Sequence, residues 1–234
     1  RGFRGLRFNE GVTGALDNVV TPPYDVIDKD ERFRLGESCA YNMTHLILPE
    51  NKVGMNAYET AALLFRQWID TGALFLDDNP YIYLLRQKFT GPDGLFFERK
   101  AFFALMKLPE QGEHYILGHE RTFDKPVEDR LALLGAVQAN LEPIFVMYSD
   151  PGNNIADMLF AVLHTEEPVL RAHTSDNVTQ ELWRTACPDY LVKHFISQTL
   201  YIADGHHRFK TACAWRDRCR SECTNSMPLQ PYDY

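Results

Sequence analysis

The sequence lacks both the long apolar runs that cross membranes and the excess of positive charge that is typical of nucleic-acid binders. None of its apolar stretches approaches the ~20 residues that a membrane-spanning helix needs. Its 24 lysines and arginines are outnumbered by 32 aspartates and glutamates, which gives a formal net charge of −8. We therefore expect a protein that binds neither membranes nor nucleic acids.

Cysteine is also scarce, and no two cysteines form a Cys-x-x-Cys pair. The five cysteines are Cys39, Cys187, Cys213, Cys219 and Cys223. An odd number without paired spacing fits free thiols in a reducing compartment better than a disulfide framework. We therefore expect a cytoplasmic protein.

Several common catalytic motifs are absent as well. The chain contains no Walker loop, no GxGxxG, no GxSxG and no HExxH. Ordinary nucleotide-binding folds, α/β-hydrolases and zinc proteases are therefore disfavoured. A divalent-metal site without such a motif remains open, and its ligands would be His119, His206, His207 and Asp204.

The most informative stretch is residues 199–212, where an apolar segment meets a cluster of polar residues. The apolar residues 200–202 predict a short buried strand, and the spacing of apolar residues from His206 onward predicts a helix. Gly205 joins the two elements and permits an unusual backbone conformation. The start of a helix presents unpaired N–H groups and the positive end of its dipole, so this junction favours an anion.

The polar side chains at this junction also fit anion binding. His206, His207 and Arg208 fall in the first predicted helical turn, and arginine can hold phosphate through two parallel hydrogen bonds. Asp204 would repel a bare phosphate, so it would bridge through a metal ion, take a proton or cap the helix. A capped helix with two solvated histidines is the structural alternative.

Two further polar clusters are candidates for the same site. Two prolines stiffen residues 21–27, which would present Tyr24 and Asp25 at little entropic cost. A second cluster follows a predicted strand, in a position where ligand sites often collect. It consists of His119, Glu120, Arg121 and Thr122, of which His119, Glu120 and Thr122 are the candidate site residues. A stiff surface turn and a solvated surface pair are the structural alternatives.

Hydrophobic periodicity predicts strands and helices in irregular alternation. Helices are expected at residues 28–35, 54–72, 126–140, 154–163, 189–197 and 206–219. Strands are expected at residues 3–8, 42–48, 80–89, 95–108, 115–123, 143–148, 169–172, 181–184 and 200–202. Gly91-Pro-Asp-Gly94 makes the third and fourth strands a hairpin, and Asp129 and Arg130 fit a solvated helix face. We expect one α+β domain over residues 1–234, with a mixed sheet and surrounding helices.

Six motifs occur in an order that resembles one known family. They are Phe3-Arg-Gly-Leu-Arg-Phe8, Thr21-Pro-Pro-Tyr-Asp-Val-Ile27, Asn42-Met-Thr-His45, Gly118-His-Glu-Arg-Thr122, Asp129-Arg130 and Ala203-Asp-Gly-His-His-Arg208. Together they resemble the family of unknown function DUF1015 over nearly the whole chain. Members of that family are considerably longer, so the resemblance implies an N-terminal portion of a longer protein.

The Gly-His-His-Arg corner resembles the phosphate-binding corner of the ParB/sulfiredoxin-like fold. Sulfiredoxin has a catalytic cysteine in this corner, whereas this chain has His206 or His207, which argues against repair of sulfinic acids. ParB proteins bind DNA, which the net charge of −8 disfavours. A third branch phosphorylates free L-serine to O-phosphoserine, and the resemblance implies such a kinase, with pyrophosphate, ADP or ATP as donor.

The resemblance also implies a role for each candidate residue. The catalytic residues would be Asp204, His206, Asp25 and Glu120, with Asp25 or Glu120 as the base. Phosphate and substrate would bind to Gly205, His207, Arg208, Tyr24, His119 and Thr122. Asp204 would bind the cofactor Mg²⁺ or position the attacking hydroxyl, and the partners would be a small-molecule substrate and a phosphoryl donor. The rival functions are a metal-dependent phosphatase or nucleotide hydrolase, and a non-catalytic ParB-like nucleotide sensor.

Overall fold

The computed structural model describes residues 1–174, 176–222 and 229–234, so Cys223 and part of the predicted tail lie outside the described residues. The helices are α1 (Glu10–Thr13), α2 (Lys29–Ser38), α3 (Thr44–Ile47), α4 (Ala57–Asp70), α5 (Asp124–Val137), α6 (Asn154–Phe160), α7 (Asp189–Phe195) and α8 (His206–Glu222). The strands are β1 (Leu6–Phe8), β2 (Leu74–Leu76), β3 (Ile82–Thr90), β4 (Phe96–Phe103), β5 (Ile116–Leu117), β6 (Phe145–Met147), β7 (Leu170–His173), β8 (Thr179–Thr185) and β9 (Leu200–Asp204). Short 3₁₀ helices cover Leu16–Asn18, Ala161–His164 and Pro231–Asp233.

The strands of the described residues form three sheets, and only one of these is mixed. Strands β1 and β2 pair with each other, and β4, β3, β8 and β7 form an antiparallel sheet in that order. In the third sheet, β9 lies between β5, with which it is parallel, and β6, with which it is antiparallel. The α+β class is therefore confirmed, with its strands divided among several sheets.

The large antiparallel sheet is built on the predicted hairpin, which is confirmed. Strands β3 and β4 are joined by the Gly91–Gly94 turn, in which Gly94 has a φ of +77°. The buried residues Ile82, Leu84 and Trp183 of this sheet pack against helices α6 and α7. The sheet and these two helices therefore enclose one hydrophobic core.

Helices α4 and α5 form a second core, which supports the candidate site. Helix α4 begins with a capping box, in which Asn56 and Glu59 bond to each other's backbone N–H groups. Its buried residues Phe65 and Trp68 belong to the same cluster as Leu133 of α5. Helix α8 lies beside α5, because the hydroxyl of Thr211 is 3.5 Å from the Val127 carbonyl oxygen.

Three of the predicted strands differ from the structure. Residues 42–48 contain helix α3, because the buried side chain of Asn42 accepts hydrogen bonds from the N–H and hydroxyl of Thr44. The strand expected at residues 115–123 ends at Leu117, where its pairing with β9 stops. Strand β6 is not buried, since Phe145 and Met147 are 40% and 53% exposed at the edge of its sheet.

A buried carboxylate attaches the N-terminal strand to the large sheet. Asp77 is 2% exposed and accepts hydrogen bonds from the Arg7 guanidinium and the Tyr83 hydroxyl, each at 2.7 Å. Arg184 of β8 forms a further ion pair with the same carboxylate. A buried charge needs partners of this kind to offset its desolvation.

Two further observations are limited to the described part of the chain. No disulfide joins the cysteines within it. No helix within it has both the length and the apolar character that crossing a bilayer requires.

Candidate functional site

The strand–turn–helix junction predicted around Gly205 is confirmed. Strand β9 ends at Asp204 and helix α8 begins at His206, and Gly205 between them has a φ of +90°. Residues with a side chain rarely adopt this conformation. The N–H of Phe209 donates to the Gly205 carbonyl at 2.9 Å, so the first turn of the 17-residue helix is closed directly after the glycine.

Arg208 folds back against this turn. Its Nη2 donates to the Asp204 carboxylate and its Nη1 to the Pro143 carbonyl. A Cβ atom on Gly205 would lie 3.1 Å from Cζ of Arg208, so glycine leaves the space that the guanidinium occupies. The Arg208 side chain is 10% exposed, and its buried Nε has no acceptor among the described residues. An unpaired buried donor costs ~1–3 kcal/mol, so a ligand oxygen bonded to this N–H would recover that cost.

His206 attaches the segment that follows β5 to the start of α8. The ring is buried, its Nε2 accepts the backbone N–H of His119 at 3.2 Å, and its Nδ1 is 3.2 Å from Oε2 of Glu120. A backbone N–H can only donate, so Nε2 is the acceptor in this contact, and the ring proton lies on Nδ1, 3.2 Å from Oε2 of Glu120. Gly118 permits this approach, since a Cβ there would be 2.9 Å from Cδ2 of His206.

His207 makes a second attachment to the same segment. Its Nε2 accepts the backbone N–H of Phe123 at 3.2 Å, and Phe123 is the residue directly before helix α5. The ammonium of Lys210 lies 3.6 Å from the carboxylate of Asp124, the first residue of α5. The N-terminal ends of α5 and α8 are therefore side by side.

The proline-stiffened segment reaches this corner through Glu142. The Tyr24 backbone N–H donates to Oε1 of Glu142 at 3.0 Å. The Tyr24 ring covers the Arg130 guanidinium at 4.3 Å, and Nη1 of Arg130 is 3.9 Å from Oε2 of Glu142. Glu142 directly precedes Pro143, whose carbonyl accepts a hydrogen bond from Arg208. Residues 142–143 therefore contact both the proline-stiffened segment and the start of α8.

Electrostatic coupling extends across the same residues. Burial raises the pKa of Glu142, Asp25 raises it further, and the Tyr24 N–H, Arg208 and Arg130 oppose that increase. Burial also raises the pKa of the Tyr24 hydroxyl, and the positive charge of Arg130 is the largest effect that opposes this rise. The carboxyl group of Glu142 is therefore close enough to Asp25 and Arg208 for their charges to affect its protonation.

The family model described as "Protein of unknown function (DUF1015)" matches residues 1–234. The chain belongs to this family. No curated protein and no solved structure matches the chain. For this DUF1015 protein, the ParB/sulfiredoxin-like core, the cytoplasmic location and the kinase activity stay proposals.

The structure brings most of the predicted site residues of this DUF1015 protein together. His119 contacts His206 through its backbone and Glu120 contacts it through its side chain, because the chain has turned after Leu117. Thr122 lies partly buried in the same segment. Since the ring of His206 is buried, the alternative of two solvated histidines is wrong for this residue.

Two residues of the site were not identified correctly from the sequence. Arg130 was expected on a solvated face, yet it is 8% exposed because Asp129 and the Ile47 carbonyl accept from its guanidinium. Glu142 was not a candidate at all. The only sign of its role is a carboxylate placed directly before Pro143, at the start of a predicted strand.

The expected metal ligands are not assembled as a set. In the part of the chain that the structure describes, no three His, Cys, Asp or Glu side chains are arranged to hold a metal ion. His206 and His207 use ring nitrogens for backbone N–H groups, and one oxygen of Asp204 pairs with Arg208. Asp204 is still 49% exposed, so it could be one ligand of a Mg²⁺ ion that is otherwise bound by substrate phosphate and water.

Proposed function

We propose that this DUF1015 protein is a small-molecule phosphotransferase with a ParB/sulfiredoxin-like core. It would phosphorylate free L-serine to O-phosphoserine, with pyrophosphate, ADP or ATP as donor. The observation that carries this proposal is the buried, unpaired Nε of Arg208 at the start of α8. An oxyanion would satisfy both the guanidinium and the N–H groups at the start of the helix.

Phosphoryl transfer depends mainly on positioning and on neutralising charge, so a small set of residues is sufficient. Arg208 and the backbone N–H groups beside Gly205 would hold the transferring phosphate. Mg²⁺ bound to Asp204 would neutralise charge on the donor phosphates. His206 and His207 act as positioning residues in this proposal, because their ring nitrogens already hold the backbone of His119 and Phe123.

A base for the acceptor hydroxyl must lie within hydrogen-bond reach of it. Glu120 is the weaker candidate, because one of its oxygens already lies 3.2 Å from Nδ1 of His206. Asp25 is exposed and pairs with no other side chain in the described residues, and its charge acts on Glu142 and Tyr24, as does that of Arg208. We therefore favour Asp25 over Glu120 as the base.

Phosphorus NMR of reaction mixtures tests the proposal. The protein is incubated with Mg²⁺ and each donor, with and without L-serine, and a phosphoserine resonance should grow only when serine is present. Arg208→Ala and Asp204→Asn should each lower turnover by ~100-fold or more while the circular dichroism spectrum is retained. Arg218→Ala is the matched control, since this exposed arginine lies near the far end of the same helix.

The rival functions give different results in the same mixtures. Donor consumption without serine would indicate a phosphatase or nucleotide hydrolase. Tight nucleotide binding without any turnover would indicate a sensor. Either result, or full activity of the Arg208→Ala variant, would contradict the proposal.

A further inference from the structure

The segment between β5 and α5 is fixed at two points on the first turn of α8. The N–H of His119 donates to His206 and the N–H of Phe123 donates to His207, each at 3.2 Å. We call residues 119–123 the anchored loop. Because its two attachment points are consecutive residues of α8, the three residues between them are held beside the N-terminal end of that helix.

Arg121 is the central residue of the anchored loop. It is exposed and makes no hydrogen bond or ion pair with the described residues. The two other arginines near the corner are already neutralised, Arg208 by Asp204 and Arg130 by Asp129. Arg121 is therefore an unpaired cation on a loop whose backbone is held beside the start of α8.

The corner has an excess of negative charge, so a further cation would favour the binding of phosphate there. Its carboxylates outnumber its paired cations; the carboxylates are Asp25, Glu120, Asp124, Asp129, Glu142 and Asp204, and the cations are Arg130, Arg208 and Lys210. A diphosphate group adds several negative charges to a site that is already acidic, and the uncompensated repulsion would oppose binding. A guanidinium supplied from the loop side would offset that repulsion and could bind two phosphate oxygens at once.

We propose that Arg121 binds the diphosphate group of the phosphoryl donor, opposite Arg208, and that His206 and His207 position it. This inference rests on the proposed function, because it assigns a further binding residue to the same site. The ligand class is a diphosphate oxyanion, which free pyrophosphate and the nucleotides ADP and ATP share. Arg121 is a binding residue in this proposal, and the two histidines act through the backbone of the anchored loop.

Isothermal titration of pyrophosphate in the presence of Mg²⁺ tests the role of Arg121. Arg121→Ala should weaken binding by ~10-fold or more, and Arg121→Lys should recover part of the loss because it restores charge without the paired donors. Arg218→Ala should bind like the wild type. Parallel titrations with ADP and ATP show which source of the diphosphate the site accepts.

A double-mutant cycle tests whether the histidines act through Arg121. His207→Ala alone should weaken pyrophosphate binding, but it should have little further effect in the Arg121→Ala background. Additive losses would contradict the positioning role, since a general structural effect of His207 would weaken binding in both backgrounds.

The outcomes separate this inference from the proposed function. If the wild type and the Arg121→Ala variant bind each of pyrophosphate, ADP and ATP with the same affinity, the role of Arg121 is overturned, even if serine is phosphorylated. Weaker binding by Arg121→Ala, without any transfer to serine, would support Arg121 and overturn the kinase. A wild-type protein that binds none of the three donors would overturn both.

Discussion

Glu142 accepts a hydrogen bond from the backbone N–H of Tyr24 at 3.0 Å, across 118 residues of sequence. The contact joins the proline-stiffened segment to the residue before Pro143, whose carbonyl accepts from Arg208. A carboxylate acceptor makes this hydrogen bond stronger than one between neutral groups. Glu142, together with the Arg130 guanidinium under the Tyr24 ring, therefore fixes the position of Tyr24 relative to the α8 corner.

Replacing Glu142 by glutamine should change how folding stability depends on pH. Burial raises the pKa of Glu142 above its ordinary value of 4.5. The stability contributed by such a group is complete below the unfolded pKa and is lost as the pH rises through the folded pKa. Glutamine keeps an acceptor for Tyr24 without this loss. Glu142→Gln should therefore gain stability relative to the wild type as the pH rises above about 4.5.

Urea unfolding of both proteins at several pH values between ~4 and ~7 measures this difference. Its expected size is ~1.4 kcal/mol for each unit by which the folded and unfolded pKa values differ. Glu128→Gln, at an exposed position of α5, removes a carboxyl group that is not buried and is the matched control. A stability gain of Glu142→Gln that does not grow with pH beyond that of this control would contradict the prediction.

Alanine at Gly205 should impair both folding stability and phosphate binding. The φ of +90° disfavours any side chain, which costs ~1–2 kcal/mol, and the new Cβ would approach Cζ of Arg208 to 3.1 Å. Displacing the guanidinium should weaken pyrophosphate binding by ~10-fold or more, as measured by isothermal titration.

Gly72→Ala separates these two effects. Gly72 has a φ of +73°, but a Cβ there would have no neighbour within 4 Å. Its substitution should cost a similar free energy of unfolding and leave pyrophosphate binding unchanged. Equal losses of binding in Gly72→Ala and Gly205→Ala would show that the contact with Arg208 is not the cause.

Asp77→Asn should destabilise the protein without acting on the candidate site. The substitution leaves Arg7 and Arg184 without their buried partner, which costs ~3 kcal/mol of unfolding free energy. The neighbouring Asp78 is 73% exposed and 3.8 Å from Arg184, so Asp78→Asn should cost less than ~1 kcal/mol. Chemical denaturation measures both values, and similar losses for the two variants would contradict the assigned role of Asp77.

The elements predicted correctly are those whose pattern is set by local chemistry. Helix α4 has a capping box and a regular apolar stripe, and the β3–β4 hairpin has a glycine-rich turn, so both were evident from sequence. The sequence predicts a strand in place of helix α3, because its apolar residues show no helical period over so few positions. Only the hydrogen bonds from Thr44 to the Asn42 side chain, which depend on the folded backbone, decide this case.

The candidate site was partly predictable for a similar reason. The corner at Gly205 is one continuous stretch of sequence, so its strand, turn and helix could be inferred from neighbouring residues. The contacts of Glu142 and Arg130 depend on how distant segments pack, and neither residue has a distinctive local pattern. The preference of Asp25 over Glu120 as the base likewise depended on the contact between Glu120 and His206.

Amide hydrogen exchange should show directly whether the two histidines hold the anchored loop. His206→Ala removes the acceptor of the His119 N–H, and His207→Ala removes that of the Phe123 N–H. Each variant should speed exchange at the amide that loses its acceptor by ~5-fold, which corresponds to ~1 kcal/mol for one hydrogen bond.

The Phe209 amide, bonded to the Gly205 carbonyl, is the internal control because its acceptor is unaffected. Equal acceleration at all three amides would indicate general loosening of the helix start, and unchanged exchange at His119 and Phe123 would show that the histidines do not anchor the loop.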